Sequence, residues 1–169
     1  WTLTSETSLK VSSNAQDTHQ MLSDDARRLT ISNRNGGLAI HGDDSTYQAL
    51  HVWSADGNSF SINGTACRGS LWAKAGAPEP TLVLHVSLEA YIAQILAGEM
   101  PLSYPDEALM AQAIAARSYA VQAALRRRSE GYDVRDDESS QVLGPLASVT
   151  PRVERHPCGR RHLAGAVGG

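Results

Sequence analysis

Apolar residues follow two different rhythms along this chain of 169 residues. Up to residue 85 they alternate with polar ones. Leu9 pairs with Val11, Leu29 with Ile31, and Leu38 with Ile40 after an Asn35-Gly36-Gly37 turn. A period of two marks strands with one buried face. His51-Val52-Trp53 and Ser59-Phe60-Ser61-Ile62 flank Asp56-Gly57, whose residues tolerate positive φ, so a hairpin is predicted there. Asn63-Gly64 turns the chain again before Gly69-Ser70-Leu71-Trp72. A loop over 76–80 then leads to a strand from Thr81 to Val86. The polar stretch from Ser12 to Asp25 carries no clear period, and a loop or a short helix would both fit it.

From residue 86 the rhythm lengthens. Leu88, Tyr91, Ile92, Ile95 and Leu96 fall at i, i+3, i+4, i+7 and i+8, one apolar stripe on a helix. Ser87 is a good N-cap, and Glu89 sits in the first turn where the helix dipole favours negative charge. Gly98 can end this helix and Pro101 forbids its continuation, which puts Glu99 at the helix C-terminus. The last carbonyls present partial negative charge to its carboxyl, a setting in which a carboxyl can act as a general acid. A solvated glutamate in an inter-helix turn is the plainer alternative. A second helix is predicted from near Pro105, suited to its first position, to about Arg128. Leu109, Ala113, Ala116, Ala120 and Ala124 give it a small-residue packing face, and Arg126 to Arg128 a basic end. The fold class is therefore α+β: an N-terminal antiparallel β part followed by two helices that carry the candidate site.

Composition narrows the partners. A net charge of −3 and 5% aromatic residues supply neither the field nor the stacking surface for nucleic acid. No apolar run approaches the roughly 20 residues of a membrane-spanning helix. Cys67 and Cys158 permit one bridge at most, fit no metal spacing and leave the compartment open. The chain starts at Trp1, so the lack of a targeting segment says nothing about export. Length suggests one domain over 1–150, with a β part over 1–85 and a helical core over 86–144. Residues 151–169 have no apolar periodicity and read as a disordered tail. Trp53, Trp72 and Tyr47 could stack on sugar rings, but half-buried packing is the commoner role for the tryptophans. Asn63-Gly64-Thr65 fits a glycosylation pattern that a tight turn explains equally well.

Three ordered segments carry a resemblance. Ser87-Leu-Glu-Ala-Tyr91, Ala97-Gly-Glu-Met-Pro101 and Glu107-Ala-Leu-Met-Ala-Gln-Ala-Ile-Ala-Ala-Arg-Ser-Tyr119, followed by Tyr132-Asp-Val134 and Gln141-Val142, resemble the core of the stage II sporulation protein D / amidase enhancer (SpoIID/LytB) family. The resemblance implies peptidoglycan. Family members studied as enzymes are lytic transglycosylases acting on glycan strands without stem peptides, and others are described as amidase activators. It further implies Glu99 as catalytic acid/base, with Gln112, Arg117, Tyr119 and Gln141 as substrate-binding candidates. Arg117 could clamp a substrate carboxylate or orient Glu99, its donors forming a rigid fork. Tyr119 could pack under the site or bond a sugar. A cell-envelope or extracellular location follows from the family alone, and no cofactor is implied.

Ordinary glycoside hydrolysis needs two carboxyl groups about 5–9.5 Å apart. Glu89 lies roughly 15 Å from Glu99 along the same helix, too far to be that partner. Asp106 and Glu107 open the next helix and could be near. A single-carboxyl mechanism that closes a 1,6-anhydro ring needs no partner, and is the reaction the resemblance implies.

Two departures from the family qualify this expectation. Where many members have a Cys/His stretch, this chain has Arg135-Asp-Asp-Glu-Ser-Ser140, so no zinc is expected there. His156, Cys158 and His162 are a weak alternative ligand set. The segment after Gln141-Val142 is also short, which suggests a C-terminally truncated domain with a shifted reading frame over its final twenty or so residues. Three functions remain open: a lytic transglycosylase, a non-catalytic wall-binding module that enhances an amidase, or an inactive remnant.

Overall fold

The computed structural model describes residues 1–15, 18–57, 59–76, 79–127, 129–135, 140–154 and 164–168. The chain forms two compact units, Trp1–Leu84 and His85–Gly169. Among the described residues the first holds strands and no helix while the second holds the helices, so the architecture is α+β with an N-terminal antiparallel sheet.

In the first unit the strands are β1 (Thr2–Ala15), β2 (Thr18–Arg34), β3 (Gly37–Ile40), β4 (Ala49–Ser54), β5 (Ser59–Ile62), β6 (Thr65–Arg68) and β7 (Ser70–Lys74). Their order runs β3-β2-β1-β4-β7, with β5 beside β1 and β6 beside β5. The alternation of the sequence is realised as one buried face: Leu9, Val11, Leu29, Ile31, Leu38, Leu50, Val52, Phe60 and Leu71 form a single core. Two tight turns follow from local chemistry. Asn35 and Gly36 have φ of 53° and 79°, and Asn63 and Gly64 have φ of 50° and 86°, so each pair joins adjacent strands through a left-handed turn.

Two expectations are corrected here. Asp56-Gly57 does not close a two-stranded hairpin. The strands it connects pair with different parts of β1: β4 with Leu9–Ser13 and β5 with Leu3–Thr4. The turn residues encode a reversal, but the long, irregular β1 decides what pairs with what. The polar stretch from Ser12 to Asp25 was expected as loop or short helix; outside residues 16 and 17, which lie beyond the described residues, it extends β1 and β2 as an antiparallel ribbon with Ser12 opposite Met21 and Ala15 opposite Thr18. Backbone pairing needs no apolar period, which is why none was visible. Trp53 and Trp72 are half-buried, and His51 packs between them with ring centroids 4.7 and 4.4 Å away.

β8 (Thr81–Ser87) leads directly into α1 (Leu88–Glu99), and α2 (Asp106–Arg126) follows after a short loop. The Ser87 side chain accepts the Ala90 N–H at 3.3 Å, the cap its position suggests. Tyr91, Ile92, Ile95 and Leu96 of α1 share a core with Ala113, Ala116 and Ala120 of α2. The alanines keep that face of α2 free of bulk, so it can approach its neighbours closely. β9 (Val134–Arg135) contributes the buried Val134 and pairs in parallel with β10 (Ala164–Gly168).

After a 3₁₀ turn over Leu146–Ser148 the chain forms α3 (Pro151–Glu154), whose Val153 is fully buried in the same core. Pro151 thus opens an ordered turn of helix in a stretch whose sequence carries no apolar period. One buried side chain in a four-residue element is too little to register as periodicity.

Gly98 lies inside α1 rather than ending it, and is needed for another reason. A Cβ there would stand 2.6 Å from the Val142 carbonyl oxygen and 2.7 Å from the Gly144 nitrogen. The Gln141–Gly144 segment crosses the end of α1 backbone to backbone, and the Gly144 N–H donates to the Gln94 carbonyl at 3.0 Å. Two glycines make that crossing possible.

Candidate active site

Glu99 is the last residue of α1 and is exposed, with Met100 already extended. The helix delivers it to the surface, and the turn enforced by Pro101 leaves it at the rim of the α1–α2 corner. Gln112 reaches it from the second turn of α2: its Nε2 donates to Glu99 Oε2 at 2.7 Å. That amide fixes one carboxylate oxygen of an otherwise exposed side chain. No ion pair among the described residues involves Glu99.

Arg117 pairs with the start of α1. Its two terminal nitrogens donate to the two oxygens of Glu89 at 2.7 and 2.8 Å, a fork-to-fork pair that ties α2 to the first turn of α1. Arg117 and Glu89 are 21% and 35% exposed, so solvent screens this pair only in part. Tyr119 lies two turns along α2 from Gln112 and is exposed. Its hydroxyl shares a 3.0 Å hydrogen bond with Ser140 Oγ. Gln141 is buried and accepts the Tyr91 hydroxyl at 2.7 Å. It therefore holds the 141–144 segment against α1.

Of the sequence-predicted residues, the structure brings Glu99 and Gln112 into direct contact. Arg117 and Gln141 hold the helices and the crossing segment around them, and Tyr119 stands at the surface with Ser140. Asp106, weighed as a second carboxylate, is held by Arg152 at 2.5 Å, and Glu107 is exposed in the first turn of α2. Residues 136–139, His156, Cys158 and His162, the stretch expected to hold no zinc and the alternative ligand set, lie outside the described residues.

Sequence reasoning missed Glu89 as the partner of Arg117, Tyr91 as the partner of Gln141, Gly144 as the partner of Gly98, and Arg152. The first three pair residues 28, 50 and 46 positions apart, and no local pattern announces such pairs. Gly98 was legible only as a possible helix end, not as the point where another segment crosses.

Comparison with known proteins bears on this arrangement. The family model described as stage II sporulation protein (SpoIID) matches residues 78–164, half of the chain, including every candidate site residue. An uncharacterized protein of Brachyspira hyodysenteriae is 34% identical over 99 residues, covering 58% of this chain and 27% of that protein. The chain thus spans about a quarter of the length of the curated relative it matches. No solved structure matches. No helix among the described residues is long and apolar enough to cross a membrane.

Proposed function

Because the chain belongs to the stage II sporulation protein (SpoIID) family, which supports a sporulation-related, cell-wall role, we propose that it is a peptidoglycan lytic transglycosylase with Glu99 as its single acid/base. The observation that carries this reading is the 2.7 Å hydrogen bond from Gln112 to an exposed Glu99 at the end of α1. An exposed carboxyl anchored through one oxygen is suited to move a proton in and out of a substrate.

In the proposed reaction the Glu99 carboxyl gives its proton to the glycosidic oxygen as the bond from that oxygen to the anomeric carbon breaks. The resulting carboxylate then takes the proton of the same sugar's C6 hydroxyl while that oxygen bonds to the anomeric carbon. The leaving strand keeps the first proton, the carboxyl is restored, and the product ends in a 1,6-anhydro ring. No water is consumed, so no second carboxylate is needed to activate one. Gln112 holds Glu99 in place through both steps. Arg117 and Gln141 act by keeping α1, α2 and the crossing segment in register, and Tyr119 offers an exposed ring and hydroxyl to the glycan two turns away along α2. The substrate is the glycan strand of peptidoglycan lacking stem peptides, and the place of action is the cell envelope.

The test is to incubate such strands with the wild type and with Glu99→Gln, following chain length and strand retention together. Cleavage lost in the variant while retention persists supports the assignment. Equal cleavage by both proteins overturns it. A second reading, a non-catalytic module that enhances an amidase, is favoured by apolar side chains on the outer side of α2: Met110, Ile114 and Leu125 are 41%, 54% and 56% exposed. Such a module retains strands, cleaves nothing, and is indifferent to Glu99→Gln.

A further inference from the structure

Beyond the residues already discussed, α3 holds a side chain with more partners than its surface position requires. Arg152 Nη1 donates to the Leu102 carbonyl at 2.5 Å, Nη2 donates to the Tyr104 carbonyl at 2.7 Å, and Nε donates to Asp106 Oδ1 at 2.9 Å. Nη2 also reaches the same Asp106 oxygen at 2.5 Å. These acceptors all belong to the loop that leaves Glu99 and to the first residue of α2. Pro101 and Pro105 bracket that loop, and its one internal turn bond runs from the Tyr104 N–H to the Pro101 carbonyl at 3.1 Å. The root of the arginine is itself fixed. The adjoining Val153 is fully buried in the helical core, and the Glu154 N–H closes the turn on the Thr150 carbonyl at 3.0 Å.

From this geometry we infer that Arg152 is the positioning residue of the Glu99 loop. Glu99 is held twice: its carboxylate by Gln112, and the main chain that follows it by the Arg152 clamp. Both holds converge on the start of α2, since Asp106 lies six residues, about 9 Å, before Gln112 on that helix. A planar guanidinium presents five donors in a fixed plane and can serve three separate acceptors at once. A lysine ammonium has three donors at one point and cannot span them. With the clamp open, the loop is free to carry Glu99 away from Gln112. A displacement of about 1 Å in a reacting group can cost on the order of 100-fold in rate.

This inference rests on the reading of Glu99 as acid/base, so its test has one arm that depends on cleavage and one that does not. Arg152→Met and Arg152→Lys are compared with the wild type for kcat and KM on peptide-free glycan strands, and for hydrogen exchange at the Tyr104 amide. The expected result for Arg152→Met is a kcat lower by about 10- to 100-fold, a KM within about threefold of wild type, and faster exchange at Tyr104. Arg152→Lys should fall between the two. A merely structural role would lower the melting temperature and the active fraction without changing Tyr104 exchange in the folded protein. Wild-type kcat in Arg152→Met, or unchanged exchange at Tyr104, overturns the inference. If the wild type cleaves nothing, the acid/base reading fails, and Tyr104 exchange still decides whether Arg152 holds the loop.

Discussion

Replacing Gly98 by alanine sets two physical arguments against each other. Gly98 lies within α1 at ordinary negative φ, so propensity alone predicts that alanine stabilises the helix by up to about 1 kcal/mol. The crossing segment predicts the opposite sign. The new methyl would sit 2.6 Å from the Val142 oxygen, 2.7 Å from the Gly144 nitrogen and 3.1 Å from the Gly144 Cα, all backbone atoms with no rotamer to escape into. Overpacking of this kind costs about 1–3 kcal/mol. Pushing the segment away also breaks the bond from the buried Gly144 N–H to the Gln94 carbonyl, at a further cost of about 1–3 kcal/mol. The midpoints of these ranges, less the propensity gain, leave a net loss of about 3 kcal/mol. The helices among the described residues lie in the second unit, so urea unfolding followed by the far-ultraviolet helix signal reports on the unit that contains the site. A midpoint lowered by an amount equivalent to about 2–4 kcal/mol is expected. A variant as stable as the wild type, or about 1 kcal/mol more so, would refute the tight crossing of Gly98 and Gly144.

Three further perturbations test neighbouring parts of the account. Tyr91→Phe removes the donor to the buried Gln141, so the second unit should lose about 1–3 kcal/mol in the same urea assay; an unchanged midpoint would contradict the pairing. Gln112→Ala should reduce glycan cleavage by roughly 10- to 100-fold with helix content intact, and a rate equal to wild type would remove Gln112 from the site. In the first unit the Tyr47 hydroxyl and the Ser45 N–H donate to Asp43, holding its carboxyl below the usual carboxylate range, while burial and then the bond to Asp43 push the Tyr47 phenol up. A lowered carboxylate contributes stability above its unfolded pKa and loses it as pH falls through the folded value. A raised phenol contributes below its unfolded pKa and loses it as pH rises through the folded value. Tyr47→Phe should therefore raise the Asp43 pKa in an NMR titration and remove the alkaline loss of stability; an Asp43 titration unmoved by the change would sink this reading.

What could be read from the sequence was what neighbours in the chain decide. Ser87, Pro101, Pro105 and the alanines of α2 encode both helices and the corner between them, because caps, breakers and packing faces act within a few residues. That placed Glu99 at a helix end and Gln112 on the neighbouring helix, but not their contact, which depends on how the two helices dock. The same limit applies to the sheet. Asp56-Gly57 carries the turn, whereas the length of β1 decides that β4 and β5 share it rather than each other. Arg117 stood out only through the family resemblance, since a charge on a helix is ordinary, and its partner Glu89 emerges only when the two helices are side by side. Arg152 was invisible for a different reason. Its role lies in three donors reaching two main-chain carbonyls and one carboxylate, and main-chain acceptors have no sequence signature.

Glu99 is proposed to break a glycan strand by handing a proton back and forth, without water. This is tested most directly by digesting peptide-free strands in heavy-oxygen water and weighing the new chain ends. The expected ends are lighter by one water than hydrolysed sugars, carry no heavy oxygen, and are absent with Glu99→Gln. Ends that incorporate heavy oxygen would mean hydrolysis through an activated water, and would contradict the single-carboxyl mechanism.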